Sequence, residues 1–244
     1  MRNLRLDICY DGTRYLGWQR LNGHGNTIQG KLETTLSRIL DEKIEISGSG
    51  RTDAGVHAVG QVANFHTSSD MPCDTLLEEL RRYLPEDIGI YSCKEVSDRF
   101  HARLNARRKT YLYRIWNSAE PCVLQRRFVH VLPQQLDLDR MRQAAGQFLG
   151  EHDFSAFCSN ARYQKSTIRR IDQLTVSREG DVVCIRATGD GFLYNMVRIL
   201  AGTLVEVGLG QREPDSIAAL FGAKREDAGV TLPGKGLFLV EVEY

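Results

Sequence analysis

The run Gly48-Ser49-Gly50-Arg51-Thr52-Asp53-Ala54-Gly55-Val56-His57 sets three glycines, one arginine and one carboxylate between two apolar segments. Glycine permits backbone angles and close approaches that a Cβ forbids, so Asp53 is expected on a tight loop that a ligand can approach. Arg51 stands two positions away, and in extended backbone the two side chains point to one side. A guanidinium there would hold the carboxylate ionised and low in pKa, which suits a nucleophile better than a proton donor. The competing reading is an Asx-turn carboxylate that satisfies its own loop amides, and this stretch alone does not displace it.

The surrounding elements follow from periodicity. Residues 4–10 alternate as a strand, and Tyr10-Asp11-Gly12-Thr13 reads as a turn. A glycine-rich connection ends at Asn26, which forms a capping-box pattern with Gln29. Ile28, Leu32, Leu36 and Ile39 recur at helical spacing, predicting a helix over about 27–40. Strands are expected at 43–46, leading into the Asp53 loop, and at 56–65. Asp74 caps a predicted helix carrying Leu76, Leu77, Leu80 and Leu84 that Pro85 stops, and 88–96 reads as strand. Residues 111–116 are apolar on both faces and predict a central strand, in which Tyr113 is core. The second half offers a helix near 139–149, a hairpin over about 173–187 turning at Arg178-Glu179-Gly180-Asp181, a long helix near 194–207, a short one after Pro214 and a last strand at 238–244. This order predicts an α+β protein of two βαβ-rich halves whose sheets could join, with helices on one face and a cleft on the other. The expected organisation is an N-terminal half at 1–117 carrying the loop, a connection at 118–132, and a C-terminal half at 133–244.

Of the 244 residues 42% are hydrophobic and 26% charged, the balance of a globular protein. No segment has the apolar length to span a bilayer, and the chain enters a strand pattern at once, so neither a membrane partner nor a signal or transit peptide is expected and a cytoplasmic location is. The six cysteines lack metal-site spacing and read as reduced thiols; Asp53 and His57 have no third ligand at suitable spacing, so no metal is expected. A net charge of +1 hides segregation. From Arg99 to Ala119 there is no acid, while Arg99, Arg103, Arg107, Arg108, Lys109 and Arg114 interleave with Phe100, His101, Tyr111, Tyr113 and Trp116. Arg126, Arg127, Arg162, Lys165, Arg169 and Arg170 continue the set. A charge run is usually a solvated face, but gathered cations with aromatics can neutralise phosphates and stack bases, which favours RNA.

Gly50 to Ala58, followed by Gly60-Gln61-Val62, resembles the signature of the TruA-type tRNA pseudouridine synthases. The likeness extends through Tyr10-Asp11-Gly12-Thr13, Gly17-Trp18-Gln19-Arg20, Phe100-His101-Ala102-Arg103, Tyr111-Leu112-Tyr113, Asp153-Phe154 and Met196-Val197-Arg198. It implies two ferredoxin-like (RRM-like) halves sharing one extended mixed, mostly antiparallel sheet, with helices on one face and a central RNA-binding cleft. The implied reaction is isomerisation of uridine to pseudouridine at positions 38, 39 and 40 of the tRNA anticodon stem-loop, by a homodimer and without a cofactor. Asp53 is then the nucleophile, attacking C6 of the base or C1' of the sugar, and Tyr111 is a ring placed against the base. Arg198 lies in an apolar helical stretch where an arginine needs a partner or a route to solvent, and the resemblance pairs it with the aspartate. Arg51 would fill the vacated space or hold RNA, and Arg20, Arg107, Arg108 and Lys109 would contact RNA. Near Asn26 the family often has a basic residue that this sequence lacks, which leaves room for a paralogue acting on another structured RNA such as rRNA. Two rivals stand beside this reading. A non-catalytic ferredoxin-like RNA-binding module explains the charge and tyrosines but not the glycine-flanked aspartate. A glycosidase or nucleosidase needs a second carboxylate, for which Asp11 is the nearest in sequence.

Overall fold

The computed structural model describes residues 1–21 and 26–244; the glycine-rich connection expected before Asn26 lies mostly outside them. Along the chain run β1 (Arg2–Tyr10), α1 (Ile28–Leu40), β2 (Ser47–Gly48), β3 (His57–Thr67), α2 (Cys73–Tyr83), β4 (Ile88–Val96), β5 (Arg108–Trp116), β6 (His130–Val131), α3 (Leu138–Gly146), β7 (Gly150–Asp153), β8 (Ile168–Glu179), β9 (Val182–Gly189), α4 (Met196–Gly208) and β10 (Leu237–Glu243). The α+β class is as expected. The chain forms two compact units, Met1–Arg107 with Leu239–Tyr244, and Arg108–Phe238.

In the first unit the strand order is β4-β1-β3-β10, with β2 on β3. Strand β1 runs antiparallel to both β3 and β4. Its alternation buries Leu4, Leu6, Ile8 and Tyr10 while Arg5, Asp7 and Cys9 stay partly exposed. Ile28, Leu32 and Leu36 of α1 and Leu76 and Leu80 of α2 are fully buried, and each such side chain contributes roughly 1.5–3 kcal/mol. Helix α1 starts one residue later than the Asn26 pattern suggests: Thr27 is the cap, its Oγ1 accepting from Gly30 N at 3.2 Å. Gln29 is used elsewhere, its Oε1 accepting from Arg20 N at 3.0 Å and its Nε2 donating to Glu33 at 2.9 Å. Helix α2 is capped by Pro72 without a side-chain bond, and Asp74 falls inside its first turn, where a carboxylate interacts favourably with the helix dipole.

The second unit has the order β5-β9-β8-β7, antiparallel throughout, with β6 parallel to β5. The β8–β9 hairpin turns through Gly180 and Asp181, and Gly180 takes φ +59, an angle that glycine adopts without steric cost. Tyr113 is fully buried. Helix α4 is buried on nearly all sides, as a helix that is apolar all round must be. The stretch expected as a connection contains β6, which Asn117 helps to hold by donating to Leu132 O at 2.9 Å and Gln134 O at 2.7 Å.

These units are drawn differently from the halves 1–117 and 133–244. Strand β5 pairs along its length with β9 and so belongs to the second unit, while residues 239–244 return to the first. Both assignments depend on partners far away in sequence. Among the described residues no helix is long and apolar enough to cross a membrane.

Candidate active site

The loop from Gly48 to His57 is anchored at both ends and along its inner side. Ser49 N donates to Val62 O at 2.7 Å, and the buried Gln61 takes Ser49 Oγ at 2.6 Å and donates to Gly50 O at 2.9 Å. Thr52 is buried, its Oγ1 2.7 Å from Tyr10 OH, and its carbonyl accepts from Trp18 N at 2.9 Å. Burial pushes the Tyr10 phenol far above its ordinary range against the opposing bonds from Thr52 and Gln61, so the hydroxyl stays protonated and able to share a hydrogen bond. Beyond Asp53 the chain turns through Ala54 and Gly55. Val56 N closes that turn on Asp53 O at 3.1 Å, and Gly55 N reaches Tyr15 O at 3.4 Å.

Three glycines let neighbouring backbones pack this closely. Gly17 has φ +104, and a Cβ there would stand 2.7 Å from Thr52 O. A Cβ on Gly12 would meet Val56 O at 2.0 Å, and one on Gly48 would meet the Trp18 ring at 2.5 Å. The segments Gly12–Trp18 and Thr52–Val56 therefore form one interlocked cradle. With Thr52 turned inward, its neighbours point out: Asp53 is partly exposed and Arg51 is exposed. Arg51 enters no ion pair among the described residues, which corrects the expectation that this guanidinium pairs with the carboxylate.

His57 closes the loop. It is 1% exposed, and its Nδ1 accepts from Gly12 N at 3.0 Å. That bond leaves no proton on Nδ1, so the 3.2 Å approach of Asp11 Oδ1 has no hydrogen to share. Asp11 instead accepts from Thr13 N at 2.9 Å and Thr13 Oγ1 at 2.5 Å, which is turn chemistry. Arg20 pairs with the buried Glu33 at 3.0 Å while its side chain remains 49% exposed.

In the second unit Tyr111 is the fourth residue of β5 and is 8% exposed, its ring edge-on to Phe192 at a centroid distance of 5.1 Å. Two residues on, the Tyr113 hydroxyl donates to Pro233 O at 2.8 Å; burial raises its pKa, and the nearby Arg198 only partly offsets this. Arg198 lies in the first turn of α4. Its Nε donates to Leu232 O and its Nη1 to Asn195 Oδ1, both at 2.6 Å, so the guanidinium is fixed rather than loose. Arg107 and Arg108 are exposed and Lys109 is partly so. Folding gives Arg108 the acid its sequence neighbourhood lacks: its Nε lies 3.1 Å from Asp172, which also holds Arg170 at 2.9 Å.

Over residues 8–105 and 144–244 the sequence matches the family described as tRNA pseudouridine synthase. The chain belongs to that family. Among tRNA pseudouridine synthases it is 47% identical to "tRNA pseudouridine synthase A" of Bacillus sp. (strain KSM-64) and 46% identical to the protein of that name from Acetivibrio thermocellus. It is 44% identical to "tRNA pseudouridine synthase A 2" of Bacillus cereus (strain ZK / E33L). Each alignment covers the whole of both chains. Sequence reasoning missed Tyr10, Thr52, Gln61 and His57 as the frame of this synthase's aspartate loop. The signal available was that a Tyr-Asp-Gly-Thr turn and a glycine-flanked aspartate each needed a partner.

Proposed function

We propose that this protein converts uridines 38, 39 and 40 of the tRNA anticodon stem-loop to pseudouridine, with Asp53 as the nucleophile. The reaction breaks the bond between C1' and N1, turns the uracil while it is retained, and joins C1' to C5. It needs a nucleophile, a site that keeps the loose base, and a route for the C5 proton. Asp53 attacks C6 or C1', and the target nucleotide is swung out of its stack at a cost of a few kcal/mol. Stacking on Tyr111 returns ~1–3 kcal/mol of that. Arg198 holds the carboxylate ionised, and Arg51, exposed beside Asp53, contacts the RNA. The enzyme works in the cytoplasm as a homodimer, with the RNA lying across both chains.

The observation that carries this reading is the aspartate loop itself: a partly exposed carboxylate on a segment whose neighbours Thr52 and His57 are locked into the core, in a chain of this family. A structural Asx turn would not need such a frame. The test uses tRNA carrying tritium at uridine C5, with mass spectrometry of the product. Isomerisation releases tritium and leaves the RNA mass otherwise unchanged, hydrolysis yields free uracil, and a binding module does neither. Asp53→Asn should abolish release while tRNA affinity stays within about threefold; substantial remaining turnover would refute the assignment.

A further inference from the structure

The first unit holds two thiols that the reaction does not use. Cys73 is the first residue of α2 and is partly exposed, while Cys93 lies on β4 and is 8% exposed. Helix α2 packs along β4, and the contacts at its two ends fix the direction. Near its C-terminal end Arg81 donates to Ile90 O at 3.1 Å and Tyr91 O at 3.2 Å. At its N-terminal end Arg2 of β1 is the hub: its Nε donates to Glu95 at 2.9 Å, its Nη2 to Cys73 Sγ at 3.8 Å, and its Nη1 to Ser69 O at 3.1 Å and Met71 O at 2.9 Å. Glu95 stands two residues from Cys93 and so on the same face of the strand, where Leu4 and Leu6 of β1 lie opposite the two. Cys73 is thereby set over Cys93. Burial pushes the Cys93 thiol up to about 12, and the Cys73 thiol, in reach of a hydrogen bond, adds to the rise.

Two neighbouring thiols, one open to solvent and one enclosed, suit stepwise oxidation: the accessible sulfur meets the oxidant and the buried one resolves the product. We infer that Cys73 and Cys93 form a modification site at which hydrogen peroxide closes a disulfide that clamps α2 to β4. Cys73, as the thiolate, attacks one peroxide oxygen. The O–O bond breaks, the sulfur becomes a sulfenic acid, and the other oxygen leaves as hydroxide, which takes up the proton that Cys73 gave away. Cys93 then attacks that sulfur, so the S–S bond forms as the S–O bond breaks, and the Cys93 proton departs with the hydroxyl as water. Two thiols are oxidised and one peroxide is reduced to two waters. Arg2 is a positioning residue here: its guanidinium already faces Cys73 Sγ, where it can hold a departing oxygen anion by a charge-assisted bond. This chemistry goes beyond the proposed tRNA modification and does not rest on it.

The experiment treats the full chain with hydrogen peroxide, stops the reaction with catalase, alkylates free thiols with iodoacetamide and digests with trypsin without reduction. Oxidised wild type should yield a species joining peptides 52–81 and 83–94, lighter than their sum by two hydrogen atoms and split by dithiothreitol. Cys9 and Cys122, both partly exposed, should remain mostly alkylated. Cys93→Ala should instead leave Cys73 as a sulfenic acid that dimedone traps, and Cys73→Ser should leave Cys93 unmodified, so each variant separates the chemistry from a loss of folding. Closing the chain between residues 73 and 93 constrains the unfolded state, so oxidised wild type should melt roughly 5 °C above its reduced form, with no such difference in either variant. Absence of the joined species once Cys9 and Cys122 are oxidised overturns the inference, as does a disulfide that gives Cys73 and Cys93 other partners, or a joined species with an unchanged Tm. None of these readouts uses tRNA, so their failure leaves the uridine reading intact.

Discussion

Tyr10 and Thr52, 42 positions apart, share a buried hydrogen bond of 2.7 Å next to Asp53. The strand that starts the chain thus sets the height of the Asp53 loop. Thr52 is turned inward by that bond, and alternation turns Asp53 outward.

Tyr10→Phe removes one buried bond without removing the ring, and should cost about 1 kcal/mol of stability. It should lower kcat about tenfold with little change in KM, because the loop is displaced while the RNA surface is untouched. Thermal denaturation and single-turnover tritium release check the two parts, and a wild-type kcat would show that Thr52 is held adequately by its main chain.

Gly17→Ala combines an unfavourable φ of +104 with a Cβ 2.7 Å from Thr52 O. Backbone strain of this kind costs about 1–3 kcal/mol, and the displacement falls on the loop next to Asp53. A lowered Tm together with a drop in kcat is expected. Ala at Gly146, where a Cβ has open space, is the comparison that should leave activity alone.

The basic stretch is less uniform than its sequence suggests, because Asp172 already holds Arg108. Replacing Arg107, Arg108 and Lys109 together by alanine should flatten the salt dependence of tRNA binding by a slope of roughly 0.7–0.9 for each phosphate no longer neutralised. Arg108→Ala alone should change it less than Arg107→Ala. Equilibrium binding across a salt series measures both, and an unchanged slope in the triple variant removes this stretch from the RNA surface.

Asp87 supports the cradle at one remove. It accepts from Tyr15 OH at 2.6 Å and from Arg14 at 2.6 Å, and Tyr15 O in turn receives Gly55 N. Burial works against its charge, but the Tyr15 and Arg14 hydrogen bonds outweigh it and hold the carboxyl below its usual range. A carboxylate with a depressed folded pKa stabilises above its unfolded pKa, and that contribution is lost as pH falls through the folded one. Arg14 is 63% exposed, so solvent screening leaves most of the effect to Tyr15, about 1–2 kcal/mol. Asp87→Asn should therefore lower Tm at pH 7, and the gap to wild type should close as pH falls below the carboxylate range. Melting curves from pH 7 to 3 decide it.

Local pattern was enough for much of the architecture. The Ile28, Leu32, Leu36 and Ile39 spacing located α1, the Gly180-Asp181 turn located the hairpin, and the double-sided apolar run located β5 with Tyr113 in the core, because each reports a periodicity or turn preference over a few residues. The glycine-flanked aspartate and the family signature were likewise legible in the chain itself. What tertiary structure decided was every relation that spans the sequence: that β5 joins the second unit and the last residues the first, that Thr27 rather than Asn26 caps α1, that Asp172 answers Arg108, and that Tyr10, Gln61 and His57 frame the loop. Hydrogen bonds and ion pairs are formed by proximity in space, and a one-dimensional pattern carries no record of which distant polar groups folding brings within 3 Å.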